Sequence, residues 1–489
     1  MSPRPARSAW LPAAARVVVV GAAATGVVLG ADRLGAVAPQ ASPPVGAPSI
    51  ATSLTSTYCP GDPFAGVEGA PDVDLTGGVV AHAAPAQVLD GVITPPGEPG
   101  TITVEDLRGE PAPTPDAEPR SGPTSESTRD LGSRPVRVRA TQERAPGLVA
   151  TEGFAASGES VQGLAAQPCG TATADAWLVG GGGDKGRQER LVLTNPGANP
   201  VTTRIEPVGA KGEDRGRSVV VPAHGRSVVL LDAVGGTDAP QAVHVSATDG
   251  LVVPTLVDHH TDGLTPAGVE LVGPTAAPAR RLVVPGNANG ARRGIVLAAP
   301  GDQDAVVEVR AVGEERARSA GVRTIPAGRA VDVALPESPG VHSWVVESDE
   351  PVVAAAHVST EDSGGRRDMA WSVATPAIGT LGGAALPTSP SSDVRRFVEV
   401  TADEEAATAD LLVLRDGEIT TREVDLEAGR SKALSIGRAS AVWVRPTDGR
   451  VHAAVLLIGR EQGARAETTS IPVLPSRVTV RDVPVVQAR

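Results

Sequence analysis

Ala242-Val-His-Val-Ser-Ala-Thr-Asp-Gly-Leu-Val-Val-Pro-Thr-Leu-Val257, Ser343-Trp-Val-Val-Glu-Ser-Asp-Glu-Pro-Val-Val-Ala-Ala-Ala-His357 and Val442-Trp-Val-Arg-Pro-Thr-Asp-Gly-Arg-Val-His-Ala-Ala-Val-Leu456 align without a gap. Each reads as a strand, a Ser/Thr-Asp turn and a second strand. The turn aspartates Asp249, Asp349 and Asp448 recur about every 100 residues. With Asp-Gly at a two-residue hairpin turn, alternation puts Val243, Val245, Ala247, Val252, Pro254 and Leu256 on one face, the core face. The matching positions Val345/Val444 and Val352/Val451 take the same role. The opposite, partly wet face carries His244, Trp344 and Trp443 at one aligned position. A three-residue loop would exchange the faces. Asp suits the turn because it tolerates the tight backbone and bonds to it locally.

Other motifs repeat in step. Leu191-Val-Leu-Thr-Asn-Pro-Gly197 matches Ile295-Val-Leu-Ala-Ala-Pro-Gly301. Val221-Pro-Ala-His-Gly-Arg226, Ile325-Pro-Ala-Gly-Arg329 and Leu426-Glu-Ala-Gly-Arg430 follow at a similar interval. About seven short strands in ~100 residues predict Ig-like or fibronectin-like β-sandwiches. The repeats fall at 171–273, 274–380 and 381–489. A propeller with two blades per repeat is the alternative, since this period is too long for one blade.

Composition agrees with an all-β chain. Of 489 residues 41% are hydrophobic, but only 2% are aromatic, so cores must be built from Val, Leu and Ile. The 56 Gly and 44 Pro imply many turns and long loops. A net charge of −13 argues against a nucleic-acid partner, since nothing would neutralise phosphates.

Arg4, Arg7 and Arg16 flank an uncharged run ending at Ala31. Residues 10–31 read as a single transmembrane signal anchor, with 1–9 in the cytoplasm and the rest outside the membrane. A signal peptide cut at Ala36-Val-Ala38 is the alternative, although Pro39 disfavours the cut. Residues 32–57 read as a linker. Residues 58–170 read as a separate N-terminal β-domain with a disordered insertion at 105–135, where apolar residues nearly vanish. In an exported chain the only two cysteines, Cys59 and Cys169, are expected to pair. That bond would close a loop of about 110 residues, a constraint on the unfolded chain worth up to ~4.7 kcal/mol.

The layout resembles the actinobacterial exported proteins grouped as DUF5719. The residues that carry the resemblance are Tyr58-Cys-Pro-Gly61, Cys169-Gly170, Trp177-Leu-Val-Gly-Gly-Gly-Gly183 and the tandem Asn-Pro-Gly and Pro-Ala-Gly-Arg motifs. The resemblance implies export and a membrane segment, and brings no activity, cofactor or catalytic residue.

Few stretches suggest chemistry. Asp258-His-His-Thr-Asp262 has metal-ligand residue types at close spacing, but is not repeated in the later copies and reads as a solvated loop. Val179-Gly-Gly-Gly-Gly-Asp-Lys-Gly-Arg187 lacks the Gly-Lys-Ser/Thr spacing of a phosphate loop and reads as a flexible connection, with Gly286-Asn-Ala-Asn-Gly290 in the equivalent place. The serine-hydrolase elbow Gly-x-Ser-x-Gly is absent. The expectation is therefore a non-catalytic, cofactor-free and metal-free envelope protein, a structural or protein-interaction scaffold. His244, Trp344 and Trp443 form its candidate interaction surface. The alternatives are a polysaccharide- or peptidoglycan-binding protein, which exposed, coplanar Trp344 and Trp443 would favour, and an unrecognised hydrolase with a deep polar cleft.

Overall fold

In a computed structural model, residues 49–481 are described, except 68, 72, 111–124, 128–133, 184, 214–215, 236–240, 316, 339, 388–393 and 460–465. The expected cytoplasmic tail, anchor and most of the linker lie outside the described residues, as does most of the 105–135 insertion. Residues 50–480 form one compact unit. It is all-β: the helices among the described residues are single turns, such as Ala86–Leu89 and Asp232–Gly235. No described helix is long and apolar enough to cross a membrane.

One pairing order recurs along the chain. The eight main strands of the second unit are Asp175–Val179, Arg187–Asn195, Val201–Gly209, Arg217–Val221, Gly225–Leu230, Ala242–Thr248, Val253–Asp262 and Thr265–Val272. Strands 5-2-7-8 form one sheet and 4-3-6-1 the other. The third unit, from Ala279–Asn287 to Arg367–Val373, and the fourth, from Gly382–Ala385 to Thr468–Pro475, pair in the same order, and in the fourth the first strand also pairs with the eighth, joining its two sheets into one. So does the segment expected to be a separate domain. There Ser125–Ser127, Asp74–His82, Val149–Ser157 and Gln162–Pro168 form the 5-2-7-8 sheet. Leu54–Cys59, Val136–Thr141 and Ile102–Asp106 supply 1-6-3. The first strand thus begins inside the expected linker, and Ser125–Ser127 is a short strand inside the stretch expected to be disordered.

The order departs from an immunoglobulin sandwich. There the first strand pairs with the second and the seventh with the sixth. Here the first pairs with the sixth and the seventh with the second. The expected hairpin is accordingly not a hairpin. Ala242–Thr248 lies between Val201–Gly209 and Asp175–Val179, whereas Val253–Asp262 lies in the other sheet, between Arg187–Asn195 and Thr265–Val272. The Asp249-Gly250 bend is an arch from one sheet to the other, with Asp249 at φ 61°. In the third unit the arch straightens into one strand, His342–Glu361, which serves both sheets. Asp349 there accepts a hydrogen bond from Val306 N at 2.7 Å.

Val243, Val245, Val252 and Leu256 still face one core, because an arch turns both arms inward across the sandwich. The third unit differs: Trp344 and Val346 enter the core, while Val345 packs outside with Val283 and Val312. The outer face of the seventh strand is dry rather than wet, because the preceding unit covers it. Val257 joins Phe154 and Val161 of the first unit, and Val353 and Ala355 join the core of the second.

These overlaps close on themselves. The eighth strands are neighbours in the sequence first–second–third–fourth–first, and so surround a common axis. Leu164 and Ala166 of the first unit enter the core of the fourth. Trp443 of the fourth, fully buried, donates Nε1 to Gly147 O at 3.0 Å in the first. Beyond the last unit, Arg477 O accepts from Gly147 N at 3.2 Å, and Val478 O accepts from Thr52 N at 3.0 Å. The Cys59–Cys169 disulfide is present and ties the start of the first unit to its end.

Candidate functional site: the polar axis and its open end

The eighth strands bring buried carboxylates to the axis. Asp368, on Arg367–Val373 of the third unit, is 1% exposed. Its Oδ2 accepts from Leu164 N at 3.0 Å and Thr468 N at 2.8 Å, joining the first and fourth units, and its Oδ1 accepts from Met369 N at 2.9 Å. Glycine is needed at position 163, because a Cβ there would sit 2.2 Å from Asp368 Oδ1. Glu270 of the second unit accepts from Ala166 N at 3.2 Å and Thr469 Oγ1 at 3.0 Å through one oxygen. Burial drives the pKa of both acids well above the carboxylate range, despite the hydrogen bonds that oppose it.

Similar ties lie off the axis. Glu399 accepts from Gly286 N at 2.7 Å, Glu189 from Gly182 N at 2.8 Å and Glu152 from Gly61 N at 3.2 Å. The first spans the third and fourth units. Burial pushes Glu152 and Glu399 up to about 7 and Glu189 to about 8. The glycine run at 180–183 is therefore more than a flexible connection: Gly182 is a donor to a buried acid.

At one end the axis opens into a cavity of about 290 Å3, where the first, third and fourth units meet. Ser157 and Gln162 line one side, Arg366, Arg367 and Asp368 another, and Glu467 a third. Gln162 Nε2 donates to Arg367 O at 3.2 Å. Arg367 pairs with Asp262 at 2.6 Å and Glu361 at 3.2 Å, and Arg366 with Asp362 at 3.1 Å.

The residues singled out from the sequence are dispersed. Trp344 is 2% and Trp443 0% exposed, one in a sandwich core and the other in a seam, so they share no surface. His244 is half-buried on an outer sheet face. It stacks on Trp177 with centroids 4.7 Å apart and bonds Asp175 Oδ2 at 2.7 Å. Asp258-His-His-Thr-Asp262 is strand, not loop, and alternation splits it. Asp258 accepts from Arg187 Nε at 3.0 Å and Trp371 Nε1 at 2.7 Å. His259 turns the other way, to Ser160 O at 2.8 Å. Among the described residues no three His, Cys, Asp or Glu side chains are grouped to hold a metal. Gly158-Glu-Ser-Val-Gln162 is the nearest the sequence comes to a hydrolase elbow, with Gln162 in place of the second glycine; the structure instead sets Gln162 on the axis. No local pattern marks Asp368 or Glu270, whose partners lie about 100 to 200 residues away.

No curated protein matches the chain. A solved structure described as a tetra-tandem repeat in the extending region of a large adhesion protein aligns over 78% of this chain and 94% of its own. Its identity is 12% and its TM-score 0.11. The model of the family of unknown function DUF5719 matches residues 124–437, well over half the chain. The chain belongs to that family.

Proposed function

We propose that the protein is a non-catalytic scaffold of the cell envelope, held to the membrane by residues 10–31 and presenting its four units as one rigid body outside. The observation that carries this reading is how the buried ionisable groups are used. Asp368, Glu270, Glu399 and Asp258 are each engaged in hydrogen bonds between units, an investment in rigidity rather than in a reacting centre. The four units read as tandem sandwiches in which the first and seventh strands have exchanged sheets relative to an immunoglobulin domain.

A partner is expected at the open end of the axis. The seventh-to-eighth strand turns of the first three units lie there, among them Leu264, 97% exposed. A photo-crosslinking amino acid at Leu264 in living cells should give a light-dependent adduct with an envelope component. The same probe at Val322, 56% exposed on a strand of the third unit, should give none. Absence of an adduct at Leu264, or equal adducts at both, would overturn the reading.

A further inference from the structure

We propose that the cavity at the open end of the axis is a binding site for an uncharged, hydroxyl-rich ligand, a sugar residue of a glycan. This ligand gives a chemistry to the partner expected at that end, and its binding does not depend on the membrane anchor.

The position is that of a presented site. The first unit's seventh strand, Val149–Ser157, runs from one end of the axis to the other, about 26 Å at 3.3 Å per residue. Its Ser157 end lines the cavity. Its Val149 end follows Gly147, which bonds Arg477 close to the Thr52–Val478 pair. The points where residues 50–480 begin and end therefore lie away from the cavity.

The chemistry excludes charged ligands by occupancy. Arg366 already faces Asp362, and Arg367 faces Asp262 and Glu361, so an anion would compete with carboxylates in place. Asp368 already accepts from three backbone N–H groups and burial disfavours its ionised form, while Glu467 is only 6% exposed, so a cation gains little from either. What remains is a wall of mixed donors and acceptors: guanidinium edges, the Gln162 amide oxygen and the Ser157 hydroxyl. Hydroxyl groups, each both donor and acceptor, match such a wall. The volume lies near the lower limit of the roughly 300–1,000 Å3 of ligand pockets, suited to a single ring. The wall lacks an aromatic platform, so recognition rests on hydrogen bonds and affinity should be modest. The walls come from three units joined by Asp368 and Gln162, so the site is formed before the ligand arrives.

The test is calorimetric titration of the full-length protein, in a detergent without sugar headgroups, with linear trisaccharides of glucose, mannose and N-acetylglucosamine. Glutamate and spermidine serve as charged probes. At least one trisaccharide should bind with Kd near 1 mM or below. Ser157→Trp or Gly158→Trp, both at the mouth, should weaken it at least about tenfold, a loss of ~1.4 kcal/mol. Gly379→Trp, with open space around it and outside the cavity lining, should leave it unchanged. The proposal fails if no trisaccharide binds the wild type, if only a charged probe binds, or if folded mouth variants bind as the wild type does.

Discussion

Replacing Asp368 by alanine should loosen three units at once. The carboxylate is the acceptor for Leu164 N of the first unit and Thr468 N of the fourth, and alanine leaves both donors buried without a partner. An unsatisfied buried donor costs about 1–3 kcal/mol. Loss of the Met369 N contact adds less, since that donor is adjacent in the chain. The two inter-unit donors together give about 2–6 kcal/mol, large beside the 5–15 kcal/mol stability of a typical domain. Asparagine keeps the shape and one acceptor oxygen. Placed on the two inter-unit donors, that oxygen retains both, and only the Met369 contact is opposed by an amide N–H. Asp368→Asn should therefore cost less than half as much as Asp368→Ala. The assay is urea denaturation at pH 7 followed by circular dichroism, with Asp302→Ala, an exposed acid, as control. A loss below about 1 kcal/mol for Asp368→Ala, or equal losses for Ala and Asn, would refute the reasoning.

Other outcomes follow from the same contacts. Trp443→Ala removes a fully buried side chain from the seam between the fourth and first units, together with its bond to Gly147 O, and should cost about 3–5 kcal/mol by denaturant titration; a surface-like loss of a few tenths would show that the seam does not form. Stability should also fall as pH rises above 6.5. A carboxyl whose pKa is higher in the folded than in the unfolded chain gains a proton on folding, so its stabilisation fades between those two values. Glu152 and Glu399 near 7 and Glu189 near 8 all act in this direction. His82 and His342, lowered to about 4 by burial, act in the opposite direction, but only up to the ordinary histidine value of 6.5. Between pH 6.5 and 8 the carboxyls alone remain: these three lose roughly 3 kcal/mol, and Glu270 and Asp368 add to the loss in the same direction. A melting temperature that holds or rises across that interval contradicts these assignments.

Much of this fold was legible in the sequence, and the exceptions have physical causes. The period near 100, the strands and the core positions Val245, Val252 and Leu256 follow from alternation alone. The arch could not be told from a hairpin, because both direct Val243 and Leu256 to the same core. The outer positions gave no contrast either, since Val257 and Val353 are apolar for a different reason: a neighbouring unit covers them. The first unit hid its kinship because the stretch between its third and fifth strands is polar and unlike the later copies. Trp344 and Trp443 were aligned correctly in sequence, but the third unit turns its sixth strand over, so the two rings point into different cores. The disulfide needed only a count and a compartment. The axis needed contacts such as Gln162 to Arg367, 205 residues apart, which no local pattern announces.

The central claim is closure: four units around one axis rather than four in a row. Small-angle X-ray scattering of residues 50–480 reads this directly. A compact body of that length has a radius of gyration of about 22 Å. Four separate units of ~105 residues strung end to end would give roughly 40 Å. A value near the first is predicted; a value near the second contradicts the ring and the assignment of the first unit as its closing member.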